Sequence, residues 1–589
     1  MCGIAGWMFA PGTEPGPGVL ERMARAIGHR GPDDEGFFRD PGAGVALVHR
    51  RLAIIDLSAA SHQPLIDEAS GLVLTYNGEI YNFRALRREL EALGHRFSSA
   101  GDAEVLLRAW LQWGAECLSR LVGMFAFALW DPRSATLHLA RDATGMKPLY
   151  FCRTDRGLVF ASEIKAFLSL PHFSGRIDPT GLQQYLEFGY RFAGRGTMLA
   201  GIEKLLPGER LVVRGGSCIA SMTWFEPPAP DRTNPRGESE RLSELSATLQ
   251  AVVAEHLNAD VPVGLLLSGG LDSGVVAALA ARSGRLTTLC MGFGHSDVDE
   301  RPHARQVADF IGSDHHEVLI CPREVRDEVT RSAWVFDDLF ADWGTVTTRL
   351  LYRRCRQMGL KVVLVGEGAD ELFGGYDVFN RAGRLGLWQL FRVYQRYCGR
   401  RWGRVFGPFR AVMVEHLRAG DGDPFHAIRL FESRQQLPNN YVMKVDKASM
   451  SESVEARCPY LDRRVAELAW RTPSDWLRRQ GENKYLLRAL ARKHALLPPS
   501  ISNRKKFGAP LASGWMDDDA EFRSFARGVI LAPGSQTECV GLARAMRAYF
   551  DERLTGYAFP APVSIFRHLA WRLLLLELWA RVYVKGHQG

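Results

Sequence analysis

Residues 268–274 read Ser-Gly-Gly-Leu-Asp-Ser-Gly and follow an apolar, strand-forming run at 261–267. They lead into a helix-type run from Val275. A strand that empties through glycines onto a helix N-terminus offers free backbone N–H groups and the positive end of the helix dipole, so the unit is built for phosphate. No GxxxxGK[ST] occurs here, which excludes the lysine-bearing P-loop. The form suits an enzyme that holds pyrophosphate as a leaving group while AMP passes to a carboxylate. A second reactive group stands at the start of the chain. Removal of Met1 makes Cys2 the first residue, with its α-amino group a few ångströms from its own thiol. That amine, with a pKa of about 7.7–8.0 against about 8.5 for the thiol, can serve as the base for it at neutral pH. By itself, a cysteine at position 2 reads as well as a buried small residue.

The elements that would position these groups fall into two sets. In the first, β-rich runs at 2–9, 45–47, 72–76, 125–130, 137–141, 158–162 and 210–213 alternate with helical runs at 19–27, 81–93, 103–113 and 180–188. A proline-dense stretch without periodicity, 227–237, reads as a linker. Beyond it, helix 242–257, the strand–glycine–helix unit, strands 286–293 and 361–365, and helices 302–311 and 345–358 predict a parallel sheet covered on both faces. From about residue 385 the pattern is mostly helical. These observations divide the chain into residues 1–226, a linker at 227–240 and residues 241–589.

A chain of 589 residues exceeds one core, and 46% apolar with 24% charged residues is ordinary for a soluble globular protein. The net charge of +8 is spread along the chain rather than blocked, which argues against a nucleic-acid partner and suits anionic small substrates. Ten cysteines at irregular spacing form no CxxC pair and no zinc pattern, as expected of reduced thiols. The start has no signal-peptide pattern, and the apolar stretch 568–584 carries Arg572, Glu577 and Arg581. It predicts an amphipathic helix rather than a membrane span. A soluble, cytoplasmic protein is expected.

Five motifs occur in order in the first half: Cys2-Gly-Ile-Ala-Gly6, Arg30-Gly-Pro-Asp-Asp34, His49-Arg-Arg-Leu-Ala-Ile54, Tyr76-Asn-Gly-Glu-Ile-Tyr-Asn82 and Gly101-Asp-Ala-Glu104. Together they resemble the class II glutamine amidotransferases, which are N-terminal-nucleophile (Ntn) hydrolases. The resemblance implies that Cys2 attacks the glutamine carboxamide, with Asn77 and the Gly78 N–H as oxyanion hole. It implies that Arg51 holds the glutamine carboxylate, with Leu52 and Ile54 beside it, and that Glu79 and Asp102 hold the ammonium. Read locally, Asn77-Gly78 predicts a tight turn between a strand and a helix.

The second half, over about 241–515, resembles the asparagine synthetases and their PP-loop relatives, through Ser268, Gly269, Gly270, Asp272 and Ser273 and through Val365-Gly-Glu-Gly-Ala-Asp-Glu-Leu-Phe-Gly-Gly-Tyr376. The resemblance implies ATP as co-substrate, backbone contacts to it from Leu266, Met291, Val365 and Gly366, and Mg²⁺ held by Asp272 and Asp370. It assigns Glu367 to formation of the acyl-adenylate and Lys484 to steadying negative charge. The basic segment 503–508 could add phosphate contacts. The implied fold is α/β with two domains: an Ntn-hydrolase αββα sandwich, then a doubly wound PP-loop ATP pyrophosphatase domain with a helical extension.

By the same resemblance, aspartate is activated as β-aspartyl-AMP, and ammonia made at Cys2 travels an internal apolar tunnel to displace AMP. Two departures stand out. Gly274 replaces an expected second serine, which would remove one hydroxyl from the phosphate. Residues 337–348 hold no arginine where some asparagine synthetases contact aspartate, and Trp343 is bulky there. An amidotransferase acting on a sugar, peptide or antibiotic-precursor carboxylate is therefore the alternative. An internal-amide ligase like β-lactam synthetase would have no use for glutamine, against the intact Cys2, Arg51, Asn77 and Asp102. A catalytically dead binding module is disfavoured by complete constellations in both halves. Glutamine, ATP and aspartate are the expected partners, with a homodimer expected from the family.

Overall fold

The computed structural model describes residues 2–171, 173, 175–233, 236–293, 299–382, 406–419, 422–504, 515–552 and 563–584. The first half contributes β1 (Gly3–Phe9), β2 (Asp34–Asp40), β3 (Val45–Arg51), β4 (Leu65–Ile66), β5 (Val73–Ile80) and β6 (Gly123–Asp131). It continues with β7 (Thr136–Arg141), β8 (Tyr150–Arg153), β9 (Gly157–Ala161), β10 (Ile202–Lys204), β11 (Glu209–Arg214) and β12 (Ser217–Thr223). They form two six-stranded sheets, ordered β10-β8-β9-β1-β3-β2 and β12-β11-β7-β6-β5-β4.

Alternate residues of each central strand face opposite ways. In β1, Ile4 and Met8 meet Ala126, Ala128 and Trp130 of β6 between the sheets. Ala5, Trp7 and Phe9 turn outward to the helix Val19–Ala26, while Phe125, Phe127 and Leu129 of β6 face the helices Phe83–Ala92 and Asp102–Trp113. Burial on both faces explains why these strands read as nearly continuous apolar runs. The result is the expected αββα sandwich.

The second half holds a parallel sheet of β13 (Val263–Leu266), β14 (Thr287–Gly292), β15 (Asp314–Leu319), β16 (Val362–Leu364) and β17 (Glu455–Arg457). Its order is β15-β14-β13-β16-β17. The chain runs outward from β13 in one direction, then returns to fill β16 and β17 on the other side. The crevice at the carboxyl ends of β13 and β16 is thus a topological switch point, the usual ligand site of such sheets. Four helices matter below: α1 (Leu271–Ala280), α2 (Gly344–Gln357), α3 (Val442–Met450) and α4 (Val563–Tyr583).

Three expectations are corrected. The helix after the glycines starts at Leu271, four residues before Val275, because Asp272 and Ser273 form its first turn. Asn77 and Gly78 lie inside β5, paired with Ala126 and Phe125, and make no turn. The last helix is not amphipathic: Leu573 to Leu576 and Trp579 are buried together, Glu577 accepts from the Thr537 backbone N–H and hydroxyl, and Arg572 donates to the carbonyls of Leu186 and Glu187. No helix among the described residues is long and apolar enough to cross a membrane.

The halves are joined by a buried ionic network. Arg30 bonds Glu163 at 2.8 Å and reaches across to Asp446 of α3 at 2.9 Å. Lys147 also meets Asp446, at 3.3 Å, while Lys165 bridges Glu163 and Asp337, and Lys447 closes on Asp337. Burial alone would raise the Asp446 carboxyl, but Arg30 and Lys147 hold it below its ordinary value. Such pairs add little over apolar packing, yet removing one partner strands a buried charge. Asp446→Asn is therefore expected to cost about 3–5 kcal/mol, read as a lower urea midpoint. The double change Arg30→Met, Asp446→Leu should lose less than the two single changes summed. An unchanged midpoint in Asp446→Asn would contradict the network's role.

Candidate active site

Cys2 is buried at the start of β1. Its backbone N–H donates to Asn77 Oδ1 at 2.9 Å, and its carbonyl accepts from Arg30 Nε at 3.0 Å. Burial raises the thiol, and the Leu52 backbone N–H and Arg51 guanidinium pull it back. The Asn77 amide nitrogen is buried with no hydrogen-bond partner. An orphaned donor fixed by its own Oδ1 beside a thiol is what an oxyanion would need. Gly78 is required by packing: a Cβ there would lie 2.2 Å from the Met124 carbonyl oxygen on β6.

Arg51 ends β3 with its guanidinium fixed by the carbonyls of Ser58, at 2.9 Å, and Asp56. Leu52 and Ile54 follow as buried residues. Asp102 opens its helix and accepts from Tyr76 Oη at 2.7 Å and the Ile80 N–H at 2.9 Å. Burial and the nearby Glu455 push the Glu79 carboxyl well above its ordinary value, and Arg457 opposes them. Burial raises Asp102 as well. A ligand ammonium would relieve both acids.

Glu455 and Arg457, which sequence reasoning missed, come from β17 of the other half. Arg457 bonds Glu455 at 2.5 Å and approaches Glu79 to 3.5 Å. It also donates to the carbonyls of His256 and Asn258, and lies over the Tyr81 ring, which stacks on His256 at 3.6 Å. A charged Glu-Ala-Arg strand carries no sequence signal for this pocket, because its partners are hundreds of residues away.

At the switch point, Leu266 ends β13, Met291 lies near the end of β14, and Val365 and Gly366 follow β16, so all four reach the crevice. Gly269 has φ +67°, and a Cβ on it would stand 2.4 Å from the Ala304 nitrogen. Ser273 Oγ accepts from the Ser268 N–H at 3.1 Å and lies 2.9 Å from Ser268 Oγ. The loop is thus tied to itself, with Gly270 capping α1. Gly274 faces away: a Cβ there would meet Leu497 Cδ2 at 2.9 Å, so a serine would point into the core and no phosphate contact is lost. Of the basic segment 503–508, Arg504 lies within 3.5 Å of the Gly269 carbonyl, and residues 505–508 fall outside the described residues.

Lys484 sits in the left-handed region (φ 54°) just before the helix Tyr485–Lys493, buried rather than solvated. Its Nζ lies 2.6 Å from Asp272 and 2.5 Å from Asp370. Two carboxylates therefore converge on one cationic centre, with Glu367 in the loop beside Asp370. No group of three or more acidic, His or Cys ligands occurs among the described residues. The arrangement fits a metal that takes two carboxylates and completes its shell with phosphate oxygens and water.

One short segment links the two centres. β17 begins at Glu455, whose charge acts on the Cys2 thiol, and Tyr460 donates to the Asp272 carbonyl at 3.0 Å. Residues 455 to 460 span at most ~18 Å even if fully extended.

A glutaminase-type Ntn fold joined to an adenylating PP-loop fold defines a two-site amidotransferase architecture. Residues 1–224 match the family model for a glutamine amidotransferase domain, and residues 244–581 match that for asparagine synthase. The chain belongs to the asparagine synthase family. It is 30% identical over 614 residues to "Asparagine synthetase [glutamine-hydrolyzing] 1" of Bacillus subtilis (strain 168), covering 96% of this chain and 94% of that protein. It is 31% identical over 653 residues to a "Putative asparagine synthetase [glutamine-hydrolyzing]" of Mycobacterium tuberculosis (strain ATCC 25618 / H37Rv), covering 99% and 98%. It is also 31% identical over 408 residues to "Amidase chry2" of Gibberella zeae, covering 64% and 60%.

The glycine geometry generates a separable outcome. Gly269→Ala is expected to weaken ATP binding by tenfold or more, about 1.4 kcal/mol, measured by nucleotide titration, with glutamine hydrolysis retained. Unchanged ATP affinity would contradict the assignment of this loop to phosphate.

Proposed function

We propose that the protein is a glutamine-dependent asparagine synthetase. Cys2 Sγ adds to the glutamine carboxamide carbon, with Asn77 and the Gly78 N–H receiving the oxyanion. The C–N bond breaks to release ammonia, and water then hydrolyses the thioester to glutamate. Arg51, with Leu52 and Ile54, orients the substrate carboxylate, and Glu79 and Asp102 its ammonium.

In the other half, a carboxylate oxygen of aspartate attacks the ATP α-phosphorus, forming β-aspartyl-AMP and releasing pyrophosphate. The loop from Ser268 to Ser273 cradles the phosphates, Glu367 acts at the adenylate, and Lys484 balances developing negative charge. A magnesium ion, when bound, would be held by Asp272 and Asp370 and would neutralise the phosphates. Ammonia displaces AMP to give asparagine. A closed path keeps ammonia unprotonated and water off the adenylate. A cytoplasmic location and a homodimer belong to this reading as family expectations.

The observation that carries the reading is the pair of centres bound to opposite ends of residues 455–460, with an orphaned Asn77 amide beside Cys2. The second reading, amidation of another carboxylate, is favoured by the lack of arginine in 337–348 and by the amidase-named relative.

Cys2→Ala is expected to lose glutamine-supported AMP release by at least a thousandfold while retaining ammonia-supported release. Survival of the glutamine-supported reaction would remove Cys2 from the nucleophile's role. AMP release that ignores aspartate but follows another carboxylate would favour the second reading.

A further inference from the structure

The stretch 337–348 lacks an arginine, and the arginine that follows it is spent elsewhere. Arg349 is fully buried and bonds Glu328 and Glu452. Lys447 is committed to Asp337. Trp343 is also out of the way, stacked on Trp571 of α4 at 4.6 Å and donating through its indole N–H to His568. What reaches this place instead is Lys444, from the first turn of α3. Its Nζ lies 3.6 Å from Asp342 Oδ1, beyond hydrogen-bond length. Asp342 Oδ1 accepts the Gly344 N–H at 2.7 Å and is thereby fixed at the start of α2.

This pair stands beside the adenylating centre. Lys444 lies 5.9 Å from the centre of the Tyr441 ring, which stacks on Tyr376 at 6.0 Å. Tyr376 donates to Glu371, the residue after Asp370. Although burial opposes its charge, Asp342, Glu367 and Glu371 together hold the Lys444 ammonium above its ordinary value, so it is a firm cation.

We propose that Lys444 and Asp342 form the acceptor's recognition pair, with the ammonium of Lys444 taking the α-carboxylate and the carboxylate of Asp342 taking the α-ammonium of an amino-acid acceptor. The inference rests on the proposed synthetase reading and names the acceptor class at its second site. A zwitterion carries its two charges on one carbon, so it can insert into a loosely closed pair and satisfy both members at once. A sugar carboxylate, which carries no ammonium, would give Asp342 no cation in exchange for Lys444. Gly344 leaves the space in front of the pair open: a Cβ there would lie 2.8 Å from Asp342 Oδ1 and 3.8 Å from Lys444 Nζ. The acceptor's side-chain carboxylate is then left to face Glu367 and the nucleotide.

The test is AMP release by the full chain with ATP, magnesium and ammonium, at varied L-aspartate and at varied succinate, which lacks the α-ammonium. Wild type, Lys444→Met, Lys444→Arg and Asp342→Asn are compared, with glutamine hydrolysis as the control for folding. Lys444→Met is expected to raise KM for aspartate about thirtyfold, equivalent to roughly 2 kcal/mol, with Lys444→Arg recovering part and glutamine hydrolysis unchanged. Asp342→Asn should narrow the preference for aspartate over succinate. An aspartate KM untouched by Lys444→Met, or succinate used as well as aspartate by wild type, overturns the recognition pair and leaves the synthetase reading standing. Wild-type AMP release that responds to no amino acid overturns both.

Discussion

The structure depends on one strand that has two obligations. β17 must pair with β16 to complete the parallel sheet, and it must also carry Glu455 and Arg457 to the wall of the Cys2 pocket. Arg457 meets both at once. Its guanidinium is fully buried, and it pairs with Glu455 and Glu79 and donates to the carbonyls of His256, which ends the helix Glu238–His256, and of Asn258 just beyond it. A buried guanidinium needs such partners to offset its desolvation, so the strand, the helix end and the pocket floor hold one another in register. The Arg30–Asp446–Lys147 cluster repeats the logic a short way along α3, where the same arginine also grips the Cys2 carbonyl. Cys2 is therefore positioned in part by residues of the other half.

Much of the fold was legible because double-faced burial writes itself into the sequence. β1, β5, β6 and β9 read as strands from their apolar runs, and the glycine loop and switch-point strands read from length and punctuation. Short or polar elements did not. β15, Asp-His-His-Glu-Val-Leu, and β17, Glu-Ala-Arg, are the two edge strands of the parallel sheet, and both are written largely in polar letters. Asn77-Gly78 looked like a turn because turn residues usually make turns; here the glycine admits a neighbouring backbone instead.

The site shows the same division. Motif residues near one another in sequence, such as Ser268 to Ser273 or Tyr76 to Asn82, could be placed before any coordinates. The partner that tunes Glu79, Glu455, arrives from the far half of the chain and leaves no local pattern, and neither Lys444 nor Asp342 belongs to any motif. The two apparent departures also changed meaning once packed. Gly274 faces Leu497 and subtracts nothing from the phosphate side, and Trp343 packs on Trp571, which leaves the missing arginine of 337–348 as the departure that bears on the acceptor.

If the two centres are joined through the interior along residues 455–460, nitrogen freed at Cys2 should not mix with solvent before it is used. The most direct measurement supplies glutamine labelled with heavy nitrogen in its amide, together with ATP, magnesium, aspartate and an excess of unlabelled ammonium at a pH where little of it is free ammonia. The account predicts that the amide of the product keeps nearly all of the label. Label diluted to the level of the bulk ammonium would contradict it, showing two active sites that share a chain without sharing a path.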